Sequence, residues 1–134
     1  MEKPRLRILF GRRGLLLKTS EHQIQDEQRA VCEQYAAKFV AALGKDKSGF
    51  ALSTKGLLPI NGLRHPPAED TTGWFLWCGE EFAVEPDFFA PLCTSHFYED
   101  HPEISKFLGL PPGCRFLLAG EYADVWFDRS LLDV

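Results

Sequence analysis

The sequence predicts an α+β fold: a mostly antiparallel sheet packed against one long N-terminal helix, with short helices in the C-terminal half. Three observations lead there. After Ser20, apolar residues recur at helical spacing for about 20 residues, the clearest amphipathic stretch in the chain. Between Gly73 and Gly79, Trp74 to Cys78 run together as an apolar and aromatic strand, the pattern of a strand buried on both faces. Around these lie short apolar runs divided by Gly, Pro and Asn, as a sheet of short strands requires. No internal repeat, low-complexity tract or linker divides the chain, so residues 1–134 are expected to form one domain.

In chain order, Leu6 to Phe10 alternates weakly and reads as a strand. Gly11-Arg12-Arg13-Gly14 reads as a turn, with Leu15 to Leu17 returning as a second strand. The two arginines lack the spacing and the lysine of a phosphate loop, so the segment is a basic hairpin tip. Ser20 with Gln23 has the form of a capping box. Ile24, Val31, Tyr35, Phe39, Val40 and Leu43 then make the helical stripe, and Gly44 is the expected C-cap. Phe50 to Thr54 reads as a strand. Leu57 to Ile60 is a second, short one, placed at an edge or end because Pro59 donates no ladder hydrogen bond. Asn61-Gly62 signals a turn, and Pro66-Pro67 a stiff extended connection.

The tryptophan strand follows, then an acidic loop with Pro86. Phe88 to Leu92 is apolar but interrupted by Pro91. Ser95 to Asp100 suits a short helix, and Pro102 suits a first helical position. Pro111-Pro112-Gly113 is a hard turn before a strand from Cys114 to Ala119. Gly120 to Ala123 reads as a turn and Asp124 to Asp128 as the last strand.

Net charge is −4, but it is unevenly spread. Residues 1–18 hold six Lys or Arg against one Glu, whereas residues 66–134 hold three basic against thirteen acidic side chains. So negative a half repels nucleic acid and suits a basic partner. A solvated acidic surface with no partner is the plain alternative. No apolar run approaches the roughly 18 residues of a membrane span. No long apolar stretch follows Met1-Glu2-Lys3-Pro4-Arg5, so a cytoplasmic location is expected. Cys32, Cys78, Cys93 and Cys114 are scattered without a C-x-x-C, which points to reduced, mostly buried thiols.

Catalytic and metal patterns are weak. There is neither a G-x-S-x-G nor an H-E-x-x-H, and Cys93 with His96 is the one sequence-adjacent thiol–imidazole pair. His96, His101, Cys93 and Cys114 match no zinc spacing, and the paired acids Glu80-Glu81 and Glu99-Asp100 lack an EF-hand pattern. No cofactor is expected. Binding chemistry remains. Glu80, Glu81, Glu85 and Asp87 follow the first tryptophan strand, and Glu121, Asp124 and Asp128 surround the second. Carboxylates beside aromatics suit a basic protein partner, with charge speeding encounter and aromatics supplying affinity. Glu80, Glu81, Glu85, Asp87, Glu121 and Asp124 are therefore the candidate partner-binding residues. Trp74, Trp77 and Trp126 are each expected in the core.

Several motifs together resemble a known family. They are Asn61-Gly62-Leu63-Arg64-His65-Pro66-Pro67, Thr72-Gly73-Trp74-Phe75-Leu76-Trp77-Cys78-Gly79-Glu80-Glu81, Pro86-Asp87-Phe88-Phe89-Ala90-Pro91-Leu92, Leu108-Gly109-Leu110-Pro111-Pro112-Gly113 and Asp124-Val125-Trp126-Phe127-Asp128. The segment they span, about residues 60–132, resembles the bacterial immunity protein 33 domain; residues 1–59 carry no assigned motif. The resemblance implies a non-enzymatic protein that binds and neutralises a cognate toxin of a polymorphic toxin system. An acidic inhibitor suits the basic cleft of a nuclease-type toxin. A generic adaptor domain of the same fold is the competing reading, and a small hydrolase or metal-binding protein stands behind both.

Overall fold

The computed structural model describes residues 20–81 and 87–133. The predicted basic hairpin at residues 6–17 and the acid Glu85 lie outside the described residues.

Helix α1 covers Glu21–Gln34. It starts where its sequence dictates: Gln23 N–H donates to Ser20 Oγ, and Ser20 N–H donates to Gln23 Oε1, both at 3.1 Å. It ends ten residues before the expected Gly44. Ala36 turns into the left-handed region with φ 54°. Ala36 N–H then reaches Glu33 O at 3.2 Å and Ala37 N–H reaches Cys32 O at 2.8 Å, the two bonds of a Schellman cap built on an alanine. Residues 37–44 leave the helix to serve tertiary partners, which override their helical spacing. Val40 N–H donates to Gly109 O at 2.9 Å, and the carbonyls of Val40 and Ala41 accept from Arg64.

The strands are β1 (Lys47–Phe50), β2 (Ile60–Arg64), β3 (Thr71–Cys78), β4 (Ala90–Cys93), β5 (Cys114–Ala119) and β6 (Tyr122–Phe127). They form one sheet in the order β4-β1-β3-β2-β5-β6. Only β1 with β3 is parallel; the other neighbours are antiparallel. The helices α2 (Thr94–Asp100) and α3 (Pro102–Ser105), with Pro102 opening the latter, pack beside α1. The fold is thus the expected α+β sheet with short later helices.

Strand β3 is buried on both faces. Trp74, Leu76 and Cys78 join Ile24, Val31, Phe97 and Leu108 in the main core on the helical side. Trp77 and the partly buried Phe75 meet Leu63, Leu131, Phe88 and Phe89 on the other side. Asn61-Gly62, expected as a turn, lies inside β2. A Cβ at Gly62 would fall 2.4 Å from the Phe116 ring, so glycine is there for close packing. Asn61 Nδ2 donates to Gly79 O at 2.8 Å and ties the strand to its neighbour. The expected strand at 50–54 is shifted: β1 stops at Phe50 and Leu52–Thr54 is a 3₁₀ turn. The residues before Ile60 are loop, with a cis Leu58–Pro59 bond. Trp126, expected in the core, is 39% exposed because β6 is an edge strand that pairs only with β5.

Between the layers lies Arg64, 1% exposed. Its Nε donates to Thr72 O at 2.8 Å; its Nη1 donates to Val40 O and Leu110 O, both at 2.8 Å; its Nη2 donates to Ala41 O at 3.1 Å. Burial lowers its pKa to about 10, which leaves the guanidinium charged at neutral pH. Two outcomes in urea unfolding are expected. Arg64→Met, which strands these carbonyls, should cost about 3–5 kcal/mol. Ala36→Gly, which relieves the left-handed cap, should stabilise by about 0.5–1 kcal/mol.

Candidate partner-binding surface

The strand register gathers several loops at one end of the sheet. Cys78, near the end of β3, pairs with Ile60 at the start of β2, and Ile60 pairs with Leu118 near the end of β5. Ala119 pairs with Tyr122 across the β5–β6 turn, and Phe50 closes β1 beside Leu76 and Ala90. Residues 51–59, 79–81, 87–89 and 120–121 therefore share this end.

Residues 51–59 hold three leucines out in solvent: Leu52 is 50%, Leu57 56% and Leu58 63% exposed. The loop is a hydrogen-bonded scaffold. The buried Thr54 hydroxyl donates to Ala51 O at 2.6 Å and accepts from Cys78 N–H at 2.9 Å. Leu57 N–H returns to Thr54 O at 3.1 Å, and Gly79 N–H donates to Pro59 O at 2.7 Å. The leucines are exposed on a pinned turn, with water on their apolar surface. Clefts flank the ridge. One runs between Leu57 and Glu80, Glu81 and Phe88; the other, of about 620 Å³, runs between Leu58 and Glu103, Glu121 and Tyr122.

The expected acids fall around this ridge in part. Glu80 and Glu81 are exposed just past β3, Asp87 is exposed ahead of β4, and Glu121 is exposed at the β5–β6 turn. Glu80 follows β3 and Glu121 lies in the β5–β6 turn, so β2 stands between their strands and the leucine ridge between their clefts. Asp124 does not join them. It sits on β6 opposite Leu117, two residues beyond Tyr122. Among the described residues none of these five carboxylates makes an ion pair. Asp128 differs: the Ser130 hydroxyl and then Arg115, 3.1 Å away, hold its carboxyl below the ordinary range.

Sequence reasoning missed the leucines and Tyr122. The available signal was Leu57-Leu58 between Gly56 and Pro59, two punctuating residues that argue for a loop.

The arrangement is suited to binding. Burial raises the thiol pKa of Cys32, Cys78 and Cys114, which keeps them protonated and poor nucleophiles. Cys93 is partly buried where β4 meets α2, and His96 is exposed on α2; no hydrogen bond joins them. Among the described residues, no group of three or more His, Cys, Asp or Glu side chains could hold a metal ion, and no helix is long and apolar enough to cross a membrane.

Fold and surface together define a small α+β domain whose exposed apolar end is bordered by Glu80, Glu81, Asp87 and Glu121, with Lys55 on the leucine loop and Lys106 in the larger cleft among them. Residues 27–128 match the Imm33-like domain, and the chain belongs to that family. The match extends the resemblance seen over residues 60–132 back through β1 to residue 27, within α1. No curated protein and no solved structure matches the chain.

The pinned loop yields a direct expectation. Thr54→Val should destabilise the fold by about 1–2 kcal/mol and speed exchange of the Cys78 amide, whose acceptor it removes. Native-state hydrogen exchange reads both.

Proposed function

We propose that this chain is a non-enzymatic immunity protein that binds and neutralises a cognate bacterial toxin in the cytoplasm of the producing cell. Family membership supports the class. The observation that carries the mode of binding is the leucine ridge, with Leu57 and Leu58 more than half exposed on a hydrogen-bonded loop between Glu80-Glu81 and Glu121. An apolar centre supplies affinity once water is excluded, while rim charges speed encounter and select sign. A basic face is the complement, as on a nuclease-type toxin whose cleft grips phosphate. The inhibitor needs no chemistry of its own; it occludes.

The test pairs the chain with the toxin domain captured from its native lysate. Leu57→Asp with Leu58→Asp should weaken capture on the order of 100-fold at low and high salt and remove protection of cells expressing the toxin. Glu80→Lys with Glu81→Lys should slow association, with the effect shrinking as salt rises. A toxin bound and neutralised equally by both variants would overturn the proposed surface.

A further inference from the structure

The two edges of the sheet are built differently. Edge strand β4 has four residues and carries Pro91, two devices that discourage pairing with another chain. Edge strand β6 has six residues, without proline, lysine or a register shift against β5. Its aromatics face solvent: Tyr122 is 59%, Trp126 39% and Phe127 57% exposed.

The hydrogen-bond phase of β6 follows from one contact. Asp128 N–H donates to Gly113 O at 2.7 Å, and the register continues unbroken from Cys114↔Phe127 to Ala119↔Tyr122. Bonded pairs alternate in an antiparallel ladder. Trp126, Asp124 and Tyr122 therefore bond toward β5. Ala123, Val125 and Phe127 turn their N–H and C=O groups to the open side, where no strand lies among the described residues.

We propose that β6 is a docking edge that accepts an extended basic segment of a protein partner as a seventh strand. Main-chain bonds to Ala123, Val125 and Phe127 would hold it. Its lysines or arginines would meet Asp124, with their stems along the Tyr122 and Trp126 rings on the same face. Trp126 already receives one guanidinium: Arg115 Cζ lies 5.6 Å from its ring centre. That arginine is engaged by Asp128, whereas Asp124 has no cation among the described residues. Charge also decides against a second copy of this chain. Glu121, Asp124 and Asp128 share this hairpin with no basic residue on β6, so two such edges would repel. The inference deepens the immunity reading by naming an edge the partner engages, but strand addition itself stands on the edge geometry.

The experiment is amide exchange by NMR on the full chain, free and with a seven-residue peptide of alternating lysine and valine. In the free chain, the amides of Ala123, Val125 and Phe127 should exchange quickly and those of Asp124 and Trp126 slowly. Saturating peptide should slow the three fast amides on the order of tenfold, an effect weakened by salt and by Asp124→Lys. Val125→Pro should abolish the slowing while β5 and β6 stay paired, because the Val125 N–H makes no bond to β5; if that variant does not fold, Asp124→Lys decides. Four results would overturn the proposal: no slowing with the basic peptide, equal slowing with a glutamate–valine peptide, concentration-dependent slowing without peptide, or slow exchange of the three amides in the free chain. Because the probe is synthetic, a negative result leaves toxin neutralisation to its own test, and failed neutralisation leaves the edge result standing.

Discussion

The buried guanidinium of Arg64 is the constraint around which the other elements arrange themselves. A charge taken out of water costs several kcal/mol, and only well-directed partners offset that cost. Here the partners are main-chain carbonyls. Thr72 lies on β3, Val40 and Ala41 on the extended segment after α1, and Leu110 on the loop after α3. Leu108 O, at 3.5 Å from Nη1, is shared with the Trp74 indole, which donates to it at 2.8 Å. Carbonyls outside regular ladders are themselves costly to bury. The arginine and the irregular segments thus solve each other's problem, and the sheet is fastened to the layer of helices above it.

A second set of polar links fastens the helices. Gln28 Nε2 on α1 donates to Ser105 O at 2.9 Å and to the Tyr98 hydroxyl at 3.2 Å, and that hydroxyl donates to Ala42 O. Burial raises the Tyr98 pKa to about 12, so it stays a neutral donor at physiological pH. Ser48 Oγ lies 2.7 Å from both Thr72 Oγ1 and Thr94 Oγ1, joining β1, β3 and α2. At one sheet end, directional bonds also hold residues 51–59, through the Thr54 hydroxyl and the Gly79 N–H to Pro59 O bond. A preorganised apolar loop loses little entropy on binding, which would favour Leu57 and Leu58, as the proposed anchors, over equally exposed leucines on a mobile segment.

Much of this was legible in the residues. The capping box at Ser20, the two-faced strand at Trp74 to Cys78, the strand at Cys114 to Ala119 and the helix opened by Pro102 all follow from local rules, and the structure has them. What was not legible depends on distant partners. The end of α1 rests on Ala36 adopting φ 54° and on Arg64 claiming the carbonyls beyond it, whereas Gly44 is the better cap by local rules. Gly62 makes room for Phe116, and no turn rule distinguishes that use of Asn61-Gly62 from a hairpin. Trp126 is exposed because β6 ended at a sheet edge, a property of strand order. For the surface, charge singled out Glu80, Glu81, Asp87 and Glu121 beside the two tryptophan strands, but only the strand register brings them to one end of the sheet, and Leu57 and Leu58 between them read as another short strand.

The family assigns the class of protein, and the proposed binding surface is the sheet end, where exposed leucines on a hydrogen-bonded loop lie among carboxylates and the side chains of Lys55 and Lys106. The most direct test of the proposed surface is hydrogen exchange across the whole chain, free and with the toxin domain proposed as its partner. Protection gained at residues 52–58 and 79–81, with the exposed face of α1 unchanged, is the expected footprint. Protection confined to α1, with the leucine loop exchanging as in the free chain, would contradict the account.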